Sequence, residues 1–258
     1  MQRALIAAIL VGAVCGTLGF FIILRRMAFI GVGISHSAIG GVAIGLLLGI
    51  DPLVTAGIFA IAVALGIAAV RKRADLSEDA VIGVFFSGSM ALGIVLFSMN
   101  HGYRQDLFGY LFGNVLALSG TELWLLGGAG LLVVATLAIA LRELLFIAFD
   151  EEVARAYGRP VDLLNSLLLV LVAITVIIGV RLVGVLLIEA LLVVPAATAA
   201  LWSTNFRVQI VLAATMGAAC GVIGLASAYW LDIAAGGSIV LATVALFFGS
   251  VVVRGRAR

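Results

Sequence analysis

Two side chains in this 258-residue sequence place ionisable chemistry in an apolar setting. One is His36, in GVGISHSAIGGVAIG (residues 31–45); the other is Glu189, in GVLLIEALLVVP (184–195). His36 stands about nine residues into its apolar run, roughly 12–14 Å along by helical rise. Glu189 stands about seven residues into its own run. An ionisable group at such depth is costly in lipid, so it is expected to face the interior of a bundle and to act there. Imidazole is a common ligand for zinc, manganese and iron, and a carboxylate adds a hard oxygen donor. The pair therefore reads as a transient metal site. The competing reading is structural: His36 hydrogen-bonds Ser35, Ser37 or a backbone carbonyl, and Glu189 is protonated or capped.

The elements that must hold these groups follow from composition. The chain is 64% hydrophobic and 11% charged, whereas a soluble domain is about 45–50% apolar and about 25% charged. Such a chain belongs in a lipid bilayer, and a net charge of +2 gives no reason to expect nucleic acid. Apolar runs of roughly 17–25 residues predict nine spans, near 4–24, 28–50, 53–70, 80–99, 123–141, 163–180, 182–202, 208–230 and 238–253. Tight joins at 25–27 and 181 keep eight or ten open. The expected class is an all-α polytopic membrane protein, one permease-like domain over 1–258. The first run lacks a strong basic leader and ends in Arg25 and Arg26, so it reads as a retained span.

Charge placement orients the spans. With the N-terminus outside, twelve of the 15 basic residues face the cytoplasm, and Arg3, Arg104 and Arg181 face out. Glycines recurring every fourth residue, at Gly12/Gly16, Gly41/Gly45/Gly49 and Gly217/Gly221, predict stripes where helix backbones approach closely. Cys15 and Cys220 lie within spans and read as small packing residues. Pro195 is expected to kink its helix beyond Glu189.

The segment RELLFIAFDEEVARAYGRPVD (142–162) holds the densest charge in the chain. Asp150 is a good N-cap, Glu151 and Glu152 suit the first turn, Arg155 suits the end, Gly158 can take the left-handed C′ position, and Pro160 blocks continuation. A short exposed helix over 151–157 is predicted, either a capped loop or a docking knob for a cytoplasmic partner. On the outer side, Asp106 and Asn114 frame DLFGYLFGN, where they line an entrance or cap a short helix. His101 reads as a solvated loop residue, and Asp232 as an outer turn residue.

Four stretches in order carry a resemblance: RRMAFIGVGISHSAIGGVAIGLLLG, DLFGYLFGNVLALS, FDEEVARAYG and LVGVLLIEALLVVPAATA. Together, over about residues 4–250, they resemble the membrane permeases of the zinc-, manganese- and iron-type ABC importers of bacteria and archaea. The resemblance implies a type II importer bundle in the cytoplasmic membrane, similar in fold to the cobalamin and siderophore permeases. It implies two copies working with two cytoplasmic ATPase subunits and an extracytoplasmic metal-binding protein. Residues 148–160 would hold the coupling helix, with Asp150, Glu151, Glu152, Arg155 and Gly158 set in a cleft of the ATPase.

The chain agrees on one point. It has no GxxxxGK[ST] phosphate loop, and its single lysine is Lys72 in RKR. No enzymatic activity is expected, ATP hydrolysis belongs to a partner, and the chain holds no cofactor beyond its transported metal. It departs on another. The family usually has an Asp four residues before the histidine, on the same helix face; here that position is Val32. Glu189, where relatives often have a small or hydroxyl residue, is the expected substitute. A chelated or non-metal substrate stays open for that reason. So does an ion-coupled secondary transporter, although the inverted repeats it would show are not evident.

Overall fold

The computed structural model describes residues 2–74, 76–99, 118–184 and 188–255. Asp106, Asn114 and His101 lie outside them. The described residues form helices and no strands: α1 Gln2–Leu24, α2 Ile30–Leu48, α3 Pro52–Arg73, α4 Glu78–Met99, α5 Gly120–Phe149, α6 Glu151–Ala156, α7 Val161–Val183, α8 Ile188–Trp202, α9 Phe206–Leu231 and α10 Ala235–Gly255. Among the described residues, eight helices are long and apolar enough to cross a membrane, and α8, with 15 residues, is a further apolar helix.

Local chemistry sets the helix ends. Pro52 opens α3 behind Asp51, whose side chain accepts from the Leu53 N–H at 2.8 Å. Ser119 and Glu122 form a reciprocal capping box at α5. Asn205 caps α9, and Asp232 ends it in the left-handed conformation at φ 53°.

The seventh predicted span ran unbroken over 182–202, yet α7 continues to Val183 and α8 begins at Ile188. Gly184 stands between them at φ 89°, a region that glycine enters without steric penalty. The 15 described residues of α8 span about 22 Å at about 1.5 Å per residue. Glu189 is in the first described turn of α8. Apolar continuity across 182–188 gave no sign of the positive φ at Gly184, because hydropathy reports burial and not backbone conformation.

α1, α2 and α7 form the interior, and the remaining long helices surround them with apolar residues facing out, among them Ile58, Val84, Leu131, Ile139 and Leu241. This outward hydrophobicity is what a lipid-facing or helix-facing surface requires. Close approach is achieved as the glycine stripes predicted. A Cβ on Gly12 would strike the Gly217 carbonyl, one on Gly16 the Ala213 carbonyl, and one on Gly221 would come within 2.7 Å of the Ala8 carbonyl oxygen, so α1 and α9 touch backbone to backbone. Gly41 and Gly45 serve α2 against Ala56 and Thr55 of α3. Gly49 is different: nothing lies near it, and at φ 66° it ends α2 as a left-handed cap. Cys15 and Cys220 are free and buried.

Candidate pathway site and docking helix

His36 lies in the second turn of α2, near the helix end that follows the basic α1–α2 turn. Its Nδ1 is 3.1 Å from the Val32 carbonyl oxygen and 3.3 Å from Ser35 Oγ, which itself donates to Val32 O at 3.2 Å. A carbonyl can only accept, so Nδ1 is the donor in this contact, and in the neutral ring Nε2 would keep its lone pair. The ring packs edge-on against Phe86 of α4, with centroids 5.3 Å apart. The backbone of residue 32 therefore orients the imidazole whichever side chain stands there, so Val32 leaves the ring's orientation intact. The structural partner foreseen for His36 and the free donor atom that a metal needs coexist on one ring.

Glu189 approaches from α8. A Cβ on Gly31, five residues before His36, would lie 3.5 Å from Glu189 Cβ, so the glycine makes room for the carboxylate's helix. Glu189 is half-buried, and its Oε2 is buried without a hydrogen-bond partner. The imidazole lies within electrostatic reach of this carboxylate, yet no hydrogen bond or ion pair joins them among the described residues. A buried carboxylate oxygen without a partner, within electrostatic reach of an imidazole, is an arrangement that a cation would complete. Among the described residues no group of three or more His, Cys, Asp and Glu gathers into a metal cage. Two donors from one chain suit a site that a metal leaves as readily as it enters.

At the basic end, α6 forms as the sequence predicted. Asp150 Oδ1 accepts from the Val153 N–H at 2.9 Å. At the other end, Gly158 N–H donates to Arg155 O at 3.0 Å and Arg159 N–H to Ala154 O at 3.1 Å, with Gly158 at φ 73°, a Schellman stop. Replacing Asp150 with Ala is expected to cost about 1 kcal/mol of local helix stability, read as roughly fivefold faster amide exchange over residues 153–157.

The five residues foreseen for docking do not share one role. Glu152 is exposed and points away from the bundle's ion pairs, beside exposed Val153, Tyr157 and Phe149. Glu151 turns inward, toward Arg25 and Arg71. Arg155 pairs with Asp162 at 3.0 Å, and this hydrogen bond raises its pKa above the ordinary guanidinium range. Tyr157 packs on Phe146 with centroids 6.1 Å apart. The sequence reading missed Val153, Tyr157 and Phe149; their signal was apolar residues interleaved with charge in an otherwise solvated segment.

A model of the ABC 3 transport family matches residues 1–254. The chain belongs to the ABC 3 transport family. It is 40% identical over 247 residues to the manganese transport system membrane protein MntC of Halalkalibacterium halodurans, covering 96% of this chain and 85% of that protein. It is 30% identical to the high-affinity zinc uptake system membrane protein ZnuB of Haemophilus influenzae, covering 98% and 97%. Among solved structures, PsaBC from Streptococcus pneumoniae in complex with Fab matches with a TM-score of 0.85 at 39% identity, over 96% of this chain and 90% of that one. As an ABC 3 family member the chain is a transport permease, and its bundle is that of an ABC permease.

Proposed function

We propose that this chain is the translocation subunit of an ATP-driven importer for a divalent transition metal: manganese, zinc or iron. Residues 1–258 form one permease domain, two copies of which work with two separate ATPase subunits and an extracytoplasmic metal-binding protein in a bacterial cytoplasmic membrane. The observation that carries the reading is His36, held through Nδ1, within electrostatic reach of Glu189, whose Oε2 is buried without a partner, in a chain that is 40% identical to a manganese system's membrane protein. Imidazole and carboxylate together suit a divalent cation of borderline hardness. The α6 segment, within 148–160, presents Glu152, Val153 and Tyr157 to the ATPase, and Asp150 and Gly158 fix its ends.

The test is reconstitution in liposomes. Manganese or zinc uptake is expected to need all three components and ATP. Uptake by the permease alone, driven by an ion gradient, would sink this reading in favour of a secondary transporter.

A further inference from the structure

We infer that Glu151 is a positioning residue that clasps the docking helix to the α1–α2 turn and to α3, so that movement of α6 reaches the helix carrying His36. The inference rests on the proposal that α6 docks an ATPase.

Glu151 gathers three guanidinium groups. Its Oε2 is 2.8 Å from Arg71 Nη2 and 3.3 Å from Arg25 Nη2, and its Oε1 is 3.5 Å from Arg155 Nη2. These groups belong to different elements. Arg25 lies in the α1–α2 turn, with its side chain only 6% exposed, and its Nη1 also donates to Asn165 Oδ1 of α7. Arg71 lies in the last turn of α3 and reaches Glu78, in the first turn of α4, at 2.6 Å. Arg155 returns to Asp162 of α7, which Lys72 of α3 also meets at 2.8 Å. One carboxylate on α6 is thus the node through which the turn before α2 and the ends of α3 and α4 are held together.

Charge explains why the node is strong. Burial and the neighbouring Arg71 pull the Arg25 pKa below the ordinary guanidinium range, while Glu78 and Glu151 work the other way. Removing the charge of Glu151 does more than delete a contact. It leaves Glu78 to offset both Arg25 and Arg71 in a poorly solvated place, and their remaining repulsion pushes the α1–α2 turn away from α3. Ile30 begins α2 five residues after Arg25, and His36 follows in the next turn. A cleft of about 600 Å³ lined by Arg71, Glu151, Arg155 and Asn165 leaves the clasp room to shift as a unit.

The experiment uses the complete reconstituted transporter and reads three quantities: ATPase co-purification, ATP hydrolysis, and metal imported per ATP. In Glu151→Gln the ATPase is expected to co-purify and hydrolyse ATP, while metal imported per ATP falls roughly fivefold or more. Glu151→Asp should recover part of that ratio. Arg71→Gln should lower it too, and the double variant should be no worse than the worse single one, since both act through one contact. Unchanged import per ATP in Glu151→Gln, or additive losses in the double variant, overturns the clasp and leaves docking untouched. Loss of ATPase co-purification in Glu151→Gln also overturns it, by making Glu151 a docking contact. Failure of the unmodified permease to capture the ATPase sinks the docking proposal itself.

Discussion

Metal uptake by the intact transporter is expected to fall by at least about tenfold when Glu189 becomes Gln, with folding unchanged. The basis is local. Glutamine keeps the size and shape of the side chain, and Glu189 Oε2 has no hydrogen-bond partner among the described residues for the amide to lose. What it removes is the negative charge within electrostatic reach of His36. Loss of a group that merely orients a metal ligand costs about 10–100-fold, so loss of a proposed ligand should cost no less. His36→Ala should have a comparable effect, and the double variant should add little, because either change alone leaves a single donor. Fold integrity is checked by monodispersity and melting temperature in detergent. A sharper arm moves the carboxylate. Val32 is one helical turn before His36 and partly buried on α2, so an Asp there would share its face. Val32→Asp combined with Glu189→Ser is expected to recover a substantial part of the uptake that Glu189→Ser loses. Normal uptake in Glu189→Gln would show that the carboxylate has no part in the pathway. No recovery in the relocation variant would show that its position on α8 cannot be exchanged for one on α2.

Residue type and spacing revealed part of this site, and backbone geometry hid the rest. His36 stood out because an imidazole in an apolar run has few structural uses. Its tautomer did not, since that depends on the Val32 carbonyl folding back to 3.1 Å. Glu189 stood out for the same reason as His36. A chain that stays apolar through 182–188 looks like one helix, and the positive φ of Gly184 is not legible in it. The eight span-length helices and the shorter α8 among the described residues were legible because lipid demands long apolar runs and confines charge to the ends. At α6, cap residues predicted both ends of the helix, because capping is local chemistry. The separate roles of Glu151 and Glu152 were not legible. Adjacent residues on a helix point about 100° apart, and which one meets the bundle depends on arginines at positions 25 and 71, distant in sequence.

The glycine stripes show the same division between local signal and non-local outcome, and they carry the largest expected effect on stability. Spacing by four announces that a helix face is bare, but it does not name the partner. The structure pairs Gly12 and Gly16 of α1 with Gly217 and Ala213 of α9, carbonyl against Cα on both sides. A side chain added there meets backbone, which cannot rotate away as a rotamer can. Overpacking of a core usually costs about 1–3 kcal/mol and occasionally more; Gly12→Val or Gly217→Val should fall at or beyond the upper end, since relief requires two helices to separate. In a membrane that separation also forfeits the dispersion contacts that hold α1 to α9, with no hydrophobic drive to restore them. The expected result is a clear fall in detergent melting temperature and loss of the monodisperse species. Gly128→Ala on α5 is the contrast, because nothing lies within 4 Å of its added Cβ. Alanine there should leave stability unchanged or raise it by up to about 1 kcal/mol, through helix propensity alone. Equal behaviour of Gly12→Val and Gly128→Ala would mean that α1 and α9 do not meet at these residues, and the interior position of α1 would have to be abandoned with them.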